Sequence, residues 1–535
     1  MTAGDSATRA GTAPAPVNPV LPGFHPDPTL CRVGDRYYLA NSTFEYVPGI
    51  PIHESTDLRT WRPIGSAILR PEEFDLADAR DSGGIYAPTL RFHDGRFYLV
   101  AAQVDRAGDT QFVMSARHPA GPWSAPVWVA DADGFDPSLF FHAGRAYWCA
   151  ARILDAEAGR TAIWVREFDL ETGRLVGHES VIWTGALRNA VWSEGPHLYE
   201  HDGWFYLLTA EGGTYRDHSV VVARSRSITG PYEQHLRNPL FTHRHLGRGY
   251  PVQNVGHADL VERPDGTWVA VLLAVRSDDG RHILGRETFV AEVTWEDGWP
   301  VINGETGVLT DVGDRPVEWN QNPARIGSAL TVRRAADFAE ETAEGVVLTD
   351  PARATDRHDT APAALFHRLQ HRAARMSVSF DDIAAGAAVG LMLRQSDAHS
   401  IRIEVHGDVV RIIERRGGVD TVRDRWAREA RHPLAIDAEL RDSAVRFHVD
   451  GRTSAGLDTA ALSSEVAGGF VGTMWGPFVV RGTALRAQAR VRSLGYRSLL
   501  DGEGQIEADL GADLDLGLDL ESTSTVAGSR APSTD

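Results

Sequence analysis

The sequence predicts an all-β protein, a five-bladed β-propeller followed by a jelly-roll-type β-sandwich. One observation is a fivefold internal repeat in the first three hundred residues. A second is a change from about Ala329 to isolated alternating strands without that repeat, and a third is a low-complexity segment at each end.

The repeat is a polar or carboxylate residue, usually a proline, a leucine-bearing strand, a glycine turn and an aromatic-rich return strand. Its copies are DPTLCRVGDRYYLA from Asp27, APTLRFHDGRFYLV from Ala87, DPSLFFHAGRAYWCA from Asp136, GPHLYEHDGWFYLL from Gly195 and HADLVERPDGTWVAV from His257. The aligned leucines, Leu30, Leu90, Leu139, Leu198 and Leu260, are 49 to 62 residues apart. Each period carries a second pair of strand-like runs, such as IPIHESTDLRTWRPI and AIWVREFDLETGRLVG, which makes four strands per unit, the pattern of a propeller blade. The fifth copy is the most divergent, with Ala258 in place of proline.

Downstream, RMSVSFD, AVGLMLRQ, SIRIEVHG, VVRIIERR, LAIDAELR and AVRFHVDG alternate with period two and are joined by hairpin turns, as in a sandwich. The segment GDRPVEWNQNPARIG, rich in Pro, Asn and Gly, is expected to be the linker. The expected organisation is a disordered tail over 1–17, the propeller over 18–315, the sandwich over 316–500 and an acidic disordered tail over 501–535.

The formal charge is −19, but residues 501–535 hold nine acidic side chains against Arg530 alone, so −8 of that total belongs to the tail. A net negative charge argues against nucleic acid or an anionic membrane as partner. All 54 basic residues are arginine, which excludes Schiff-base lysine chemistry and a phosphate-loop lysine. Cys31 and Cys149 are too few for a disulfide framework or a thiolate zinc site and are expected to be buried apolar residues. No apolar signal-peptide core or membrane-spanning stretch occurs, so the expected location is the cytoplasm.

In a propeller the residues just before each innermost strand surround the channel mouth. Those positions carry Asp27, Asp136, His257 and, two residues ahead of Pro196, Glu194. Carboxylates facing one another across a cavity suit glycosidic cleavage, in which one group protonates the leaving oxygen while the other acts at the anomeric carbon, directly or through water. A third carboxylate separates their pKa values by like-charge repulsion. Spacing alone does not say which carboxylate does which task.

The run NPVLPGFHPDPTLCRVGDRYYLANSTFEYVPGIPIHESTDLRTW, with GGIYAPTLRFHDGRFYL, GFDPSLFF, SEGPHLY, GHADLV and GRETF, resembles the β-xylosidases and α-L-arabinofuranosidases of glycoside hydrolase family 43 over about residues 18–310. The region from LFHRLQH to LMLRQ is similar to the β-sandwich appended to their two-domain members. The resemblance implies an exo-acting, inverting hydrolase that frees terminal xylose or arabinofuranose from small oligosaccharides. By motif, Asp27 would be the general base, Glu194 the general acid and Asp136 the group that raises the acid's pKa. Arg286 would donate to sugar hydroxyls, with Phe44, Tyr86, His25 and Trp192 lining the sugar site. His257 would lie on the channel axis beneath the site, where relatives hold a water network or an ion such as calcium, although the chemistry itself needs no cofactor.

Each of these residues also has a plain structural reading: Asp27 as a turn residue, His257 as a satisfied channel histidine, Arg286 as a blade ion-pair partner, and the aromatics as core. Tyr86 stands where relatives commonly carry tryptophan, and His25 where they carry an aromatic or asparagine, which leaves xylose against arabinofuranose open. MWGPF, with Trp475 and Phe478, is the candidate sandwich loop that closes the pocket, core packing being the other reading. Two further readings are a retaining fructan-type hydrolase and a non-catalytic carbohydrate-binding propeller. The first has an Asn-Asp-Pro-Asn-Gly start, whereas Asp27 here lies between Pro26 and Pro28. The second would lack one of the three carboxylates, all of which are present. A homo-oligomer is compatible with the sequence.

Overall fold

A computed structural model describes residues 17–74, 76–310, 312–333, 337–350, 363–429, 433–481 and 487–500. Apart from Val17, both tails expected to be disordered lie outside the described residues. No helix among the described residues is long and apolar enough to cross a membrane.

Five four-stranded antiparallel sheets, each in sequential strand order, form the blades. Their innermost strands are Thr29–Val33, Ile85–His93, Phe135–His142, Glu194–His201 and Val252–Glu262. The second strand of each blade reads as an almost unbroken apolar run because both of its faces are buried. In blade one Leu39 packs toward Val269 and Val271 of blade five, while its neighbours Tyr38 and Ala40 pack toward Leu90 and Leu99 of blade two. The same alternation recurs around the ring, so five apolar clusters separate the five blades. Cys31 and Cys149 are unpaired and buried within two of these clusters, as their scarcity implied.

The ring closes through the segment that enters blade one. Val20 N–H donates to the Thr288 carbonyl at 2.9 Å, and the Asn18 side chain makes two hydrogen bonds to the Val290 backbone, at 2.8 and 2.9 Å. Asn41 and Thr288 then hold the His25 carbonyl, at 3.1 and 2.8 Å. This segment, which ends at Asp27, is thereby locked to blade five.

At the axis the fully buried Asp259 carboxylate accepts from Thr29 Oγ1 at 2.8 Å, Leu30 N at 2.9 Å, both terminal nitrogens of Arg91 at 2.8 and 3.0 Å, and the Tyr199 hydroxyl at 2.7 Å. Blades one, two, four and five therefore meet on one carboxylate. Burial alone would raise its pKa, but the Arg91 charge and these hydrogen bonds hold it well below the usual carboxylate range.

The second domain is a sandwich of a nine-stranded and a seven-stranded sheet around one large apolar core. The expected linker contributes a strand of its own, Glu318–Gln321, which pairs with the long strand Ala487–Ser498. The run ALFHRLQH, 364–371, forms no continuous strand: the short pairs Ala363–Ala364 and His367–Arg368 each join Met474–Arg481 separately. Val419–Ala427 escapes the alternation signal because it is a mostly exposed edge strand rich in charge.

The domains are joined by a two-stranded pairing of Thr331–Val332 with Tyr46–Val47 and by a shared apolar cluster containing Phe24, Phe44, Phe366 and Phe478. Arg394, 2 % exposed, donates to the Tyr46 hydroxyl at 2.7 Å and to Asp81 and Asp397 at 3.0 and 2.7 Å. Arg333 bridges the same two carboxylates.

Removing Arg91 would leave the Asp259 charge buried without its counter-ion, a change that costs about 3–5 kcal/mol. Arg91→Met is therefore expected to lower the thermal transition of the propeller markedly in calorimetry, and an unchanged transition would contradict the role given to the axial carboxylate.

Candidate active site

The repeat places its polar residues at the channel mouth by a shared backbone device. In blades two to five the pairing of the innermost strand with its neighbour slips at the same place, between Tyr86 and Thr89, Phe135 and Ser138, Glu194 and His197, and Gly256 and Ala258, with a second slip in blade five between Gln253 and Gly256. Asp136, Gly195 and His257 take left-handed φ values there of 51°, 56° and 48°, and Asp27, just before the blade-one strand, takes 50°. For a non-glycine residue that conformation costs about 1–2 kcal/mol, and here it turns the side chains inward. Gly195 is required on a second ground, because a Cβ would come within 2.9 Å of the His257 ring.

The result is a pocket of about 700 Å³ lined by Asp27, Asp136, Glu194, His257 and Arg286, with aromatic walls. Asp27 accepts from Ser42 Oγ at 2.6 Å on one oxygen and from Arg286 Nη1 at 2.8 Å on the other, with His257 Nδ1 3.9 Å away. Asp136 accepts the Gly195 N–H at 3.0 Å, which anchors the peptide immediately after Glu194. Burial, then the charges of Asp136 and Asp27, push the Glu194 carboxyl well above its ordinary pKa, with Arg286 opposing. Asp136 is raised to about 6 by burial, against the pull of His257 and with the push of Asp27.

Phe44, Tyr86 and Trp192 all line this pocket. The Phe44 and Tyr86 rings meet edge-on at 4.9 Å, and the Tyr86 hydroxyl donates to the Ser82 carbonyl at 2.9 Å. Trp192 is held by its N–H on the Gly159 carbonyl at 2.7 Å, and its ring covers Gly159 and Gly213, where a Cβ would collide or crowd. Arg286 spends Nη1 on Asp27 and on Thr214 Oγ1 at 3.2 Å, and Nε on the Phe470 carbonyl at 3.3 Å. Nη2 has no protein partner among the described residues.

His25 is not part of this pocket. Its N–H is tied to the Arg286 carbonyl at 2.9 Å, but the side chain turns to the opposite side of the segment, with Nδ1 against the Pro22 carbonyl at 3.1 Å and the ring edge-on to His53 at 5.5 Å. The two-residue offset from Asp27 and the left-handed turn at Asp27 separate their directions. The loop expected from MWGPF is likewise elsewhere. Trp475 and Phe478 lie inside the strand Met474–Arg481, 0 % and 1 % exposed, and pack in the sandwich core and the domain junction.

The sandwich residue that does reach the pocket is Phe470, a few positions earlier. Its N–H donates to Ser82 Oγ at 2.8 Å, its carbonyl takes Arg286 Nε, and its ring stands 6.0 Å from Phe44 and 6.1 Å from Tyr86. The signal was Gly468-Gly469 before it and Gly472 after it. A Cβ at Gly469 would meet Ser82 Oγ at 2.5 Å, and one at Gly472 the Leu284 carbonyl at 2.3 Å.

Among the described residues the side chains near the axis do not by themselves form a cage of the oxygen ligands that calcium prefers. His257 faces an Asp27 already engaged by Arg286, Asp259 is saturated by its five donors, and no group of three or more His, Cys, Asp or Glu among the described residues is placed to hold a metal.

A five-bladed propeller with three convergent carboxylates and an attached sandwich can be compared with known proteins. Residues 16–300 match glycosyl hydrolases family 43, and residues 338–497 match the beta xylosidase C-terminal concanavalin A-like domain. The chain belongs to glycosyl hydrolases family 43. A xylosidase/arabinosidase of Butyrivibrio fibrisolvens is 44 % identical over 361 residues, covering 66 % of this chain and 68 % of that protein. A non-reducing end α-L-arabinofuranosidase of Bacteroides ovatus is 34 % identical over 498 residues, 86 % of this chain and 90 % of its own. The crystal structure of a xylan β-1,4-xylosidase from Bacillus halodurans superposes with a TM-score of 0.80 at 29 % identity, over 90 % of this chain and all of that one.

If Phe470 closes this family 43 pocket, Phe470→Ala is expected to raise KM for small glycosides about tenfold, or ~1.4 kcal/mol of binding. Steady-state kinetics on the full chain checks it, and an unchanged KM would contradict closure by the sandwich.

Proposed function

We propose that this family 43 protein is an exo-acting, inverting glycoside hydrolase that releases terminal xylose or arabinofuranose from xylo- and arabino-oligosaccharides. The observation that carries this is the unequal treatment of the carboxylates in one pocket. Glu194 is driven toward its protonated form by burial and two neighbouring acids, while Asp27 has a guanidinium and a hydroxyl donating to its oxygens. One group is prepared to give a proton and the other to take one.

In the proposed reaction Asp27 accepts a proton from a water as that water attacks the anomeric carbon. The glycosidic C–O bond breaks on the opposite face, and Glu194 delivers its proton to the leaving oxygen. The sugar leaves with inverted configuration, and solvent returns the two carboxyl groups to their starting states. Asp136 acts twice, by raising the acid's pKa through its charge and by fixing the Glu194–Gly195 peptide. Arg286 positions the base and has Nη2 left for a sugar hydroxyl, a task suited to its planar fork. Phe44, Tyr86, Trp192 and Phe470 supply apolar surface for the ring face of a pentose. A pocket capped by Phe470 suits a chain end. The names of the relatives divide between xylosidase and arabinofuranosidase, so both pentoses remain in the proposal.

Proton NMR of the first-formed product is expected to show the anomer opposite to that of the substrate, and retention would overturn the mechanism. Parallel assays on nitrophenyl β-xyloside and nitrophenyl α-L-arabinofuranoside identify the preferred sugar. Glu194→Ala should slow hydrolysis of unactivated oligosaccharides about 10²–10⁴-fold, and much less for glycosides whose leaving group needs no proton. Asp27→Ala should impair both substrate types. Asp136→Asn removes a negative charge that keeps the Glu194 proton in place, so the alkaline limb of the kcat/KM profile should move to lower pH. A limb that stays in place would refute that role.

A further inference from the structure

A second cleft, of about 800 Å³, opens between blade one and the sandwich and shares no lining residue with the pocket just described. His25 and His53 face it from the propeller, and His367 and Arg368 from the sandwich. Arg368 Nε donates to the Phe24 carbonyl at 2.6 Å, but Nη2 is sealed from solvent without a protein partner. No carboxylate among the described residues pairs with this guanidinium, whose charge bears on all three histidines.

The unmet groups include two imidazole nitrogens, each a donor in one tautomer. His53 and His367 are 7 % and 9 % exposed, and His53 Nδ1 and His367 Nε2 have no partner in the protein. Trp61, also on the lining, has an unpartnered indole N–H. The one carboxylate on the lining, Asp314, is taken by Arg276, and the guanidinium of Arg315 is spent on the Arg59 and Val17 carbonyls. An arginine stays protonated, and a largely desolvated one without a counter-charge is costly unless an anion completes it.

We propose that this cleft binds a small oxyanion, held by Arg368 with His53 and His367 as further donors. A bound anion would bridge the domains through those side chains. Because Arg368 also holds the Phe24 carbonyl, three residues from Asp27, it would brace the segment that carries the base.

The chemistry fits either a free inorganic anion or the carboxylate of a sugar acid. Calorimetric titration of the full chain with inorganic phosphate, with D-glucuronate and with neutral D-glucose separates them. Saturable binding of phosphate or glucuronate at one site per chain is expected, with a rise in Tm, and none for glucose. Phosphate binding alone would indicate a free anion, whereas glucuronate displaced by phosphate would indicate a sugar acid. Arg368→Met and His53→Phe should each weaken binding at least tenfold. The second variant keeps the Arg368–Phe24 bond, so it decides the matter even if the first does not fold. Absence of binding by the unmodified chain, or full binding by His53→Phe together with any folded Arg368→Met, would overturn the proposal.

Discussion

A carboxylate with no access to water has to be satisfied entirely by its neighbours, and Asp259 meets that demand with groups from three other blades. The cost of leaving any of them unpaired makes the convergence a constraint on geometry as well as a source of stability. Thr29 and Leu30, which donate to Asp259, follow Asp27 by two and three residues. His257 precedes Asp259 by two, so it lies on the same strand one step toward the mouth. The axial network therefore sets the height and rotation of the strands from which Asp27 and its histidine neighbour project.

Above that level the bulges convert regular strands into a site. A strand alternates its side chains between faces, and in these blades both faces belong to inter-blade cores. A polar residue can leave that alternation only where the pairing slips, and it does so at Asp136, Glu194–Gly195 and His257. Backbone strain at these positions is tolerated because the flanking strands are held on both sides. The raised pKa of Glu194 is then a consequence of burial among like charges rather than a property of the side chain itself.

The sandwich does more than extend the chain. Its segment around Phe470 threads against residues 282–286 by backbone contacts that only glycine permits at 472 and 285, and in doing so it places an aromatic ring over Arg286. Arg333, Arg368 and Arg394 add side-chain hydrogen bonds across the domain junction, to Asp81, the Phe24 carbonyl and the Tyr46 hydroxyl. In a chain without lysine, every cationic contact that needs a planar, multidentate donor can be met, and none can be met by a flexible ammonium.

The repeat, the turn glycines and the apolar second strands were enough to determine five blades from sequence, because each blade solves the same local packing problem. The repeat positions likewise pointed to Asp27, Asp136, Glu194 and His257, and the motifs added Arg286. Sequence could not assign directions. His25 and Asp27 are two residues apart yet face different cavities, because a left-handed φ at Asp27 breaks the expected alternation. Asp259 was legible only as a carboxylate among apolar neighbours in HADLVE, and Arg91 as a charge on an inner strand, since their pairing spans 168 residues. Phe470 rather than MWGPF reaches the pocket because its turn, admitted by Gly469 and Gly472, packs against Ser82 and Leu284, contacts between residues far apart in the sequence.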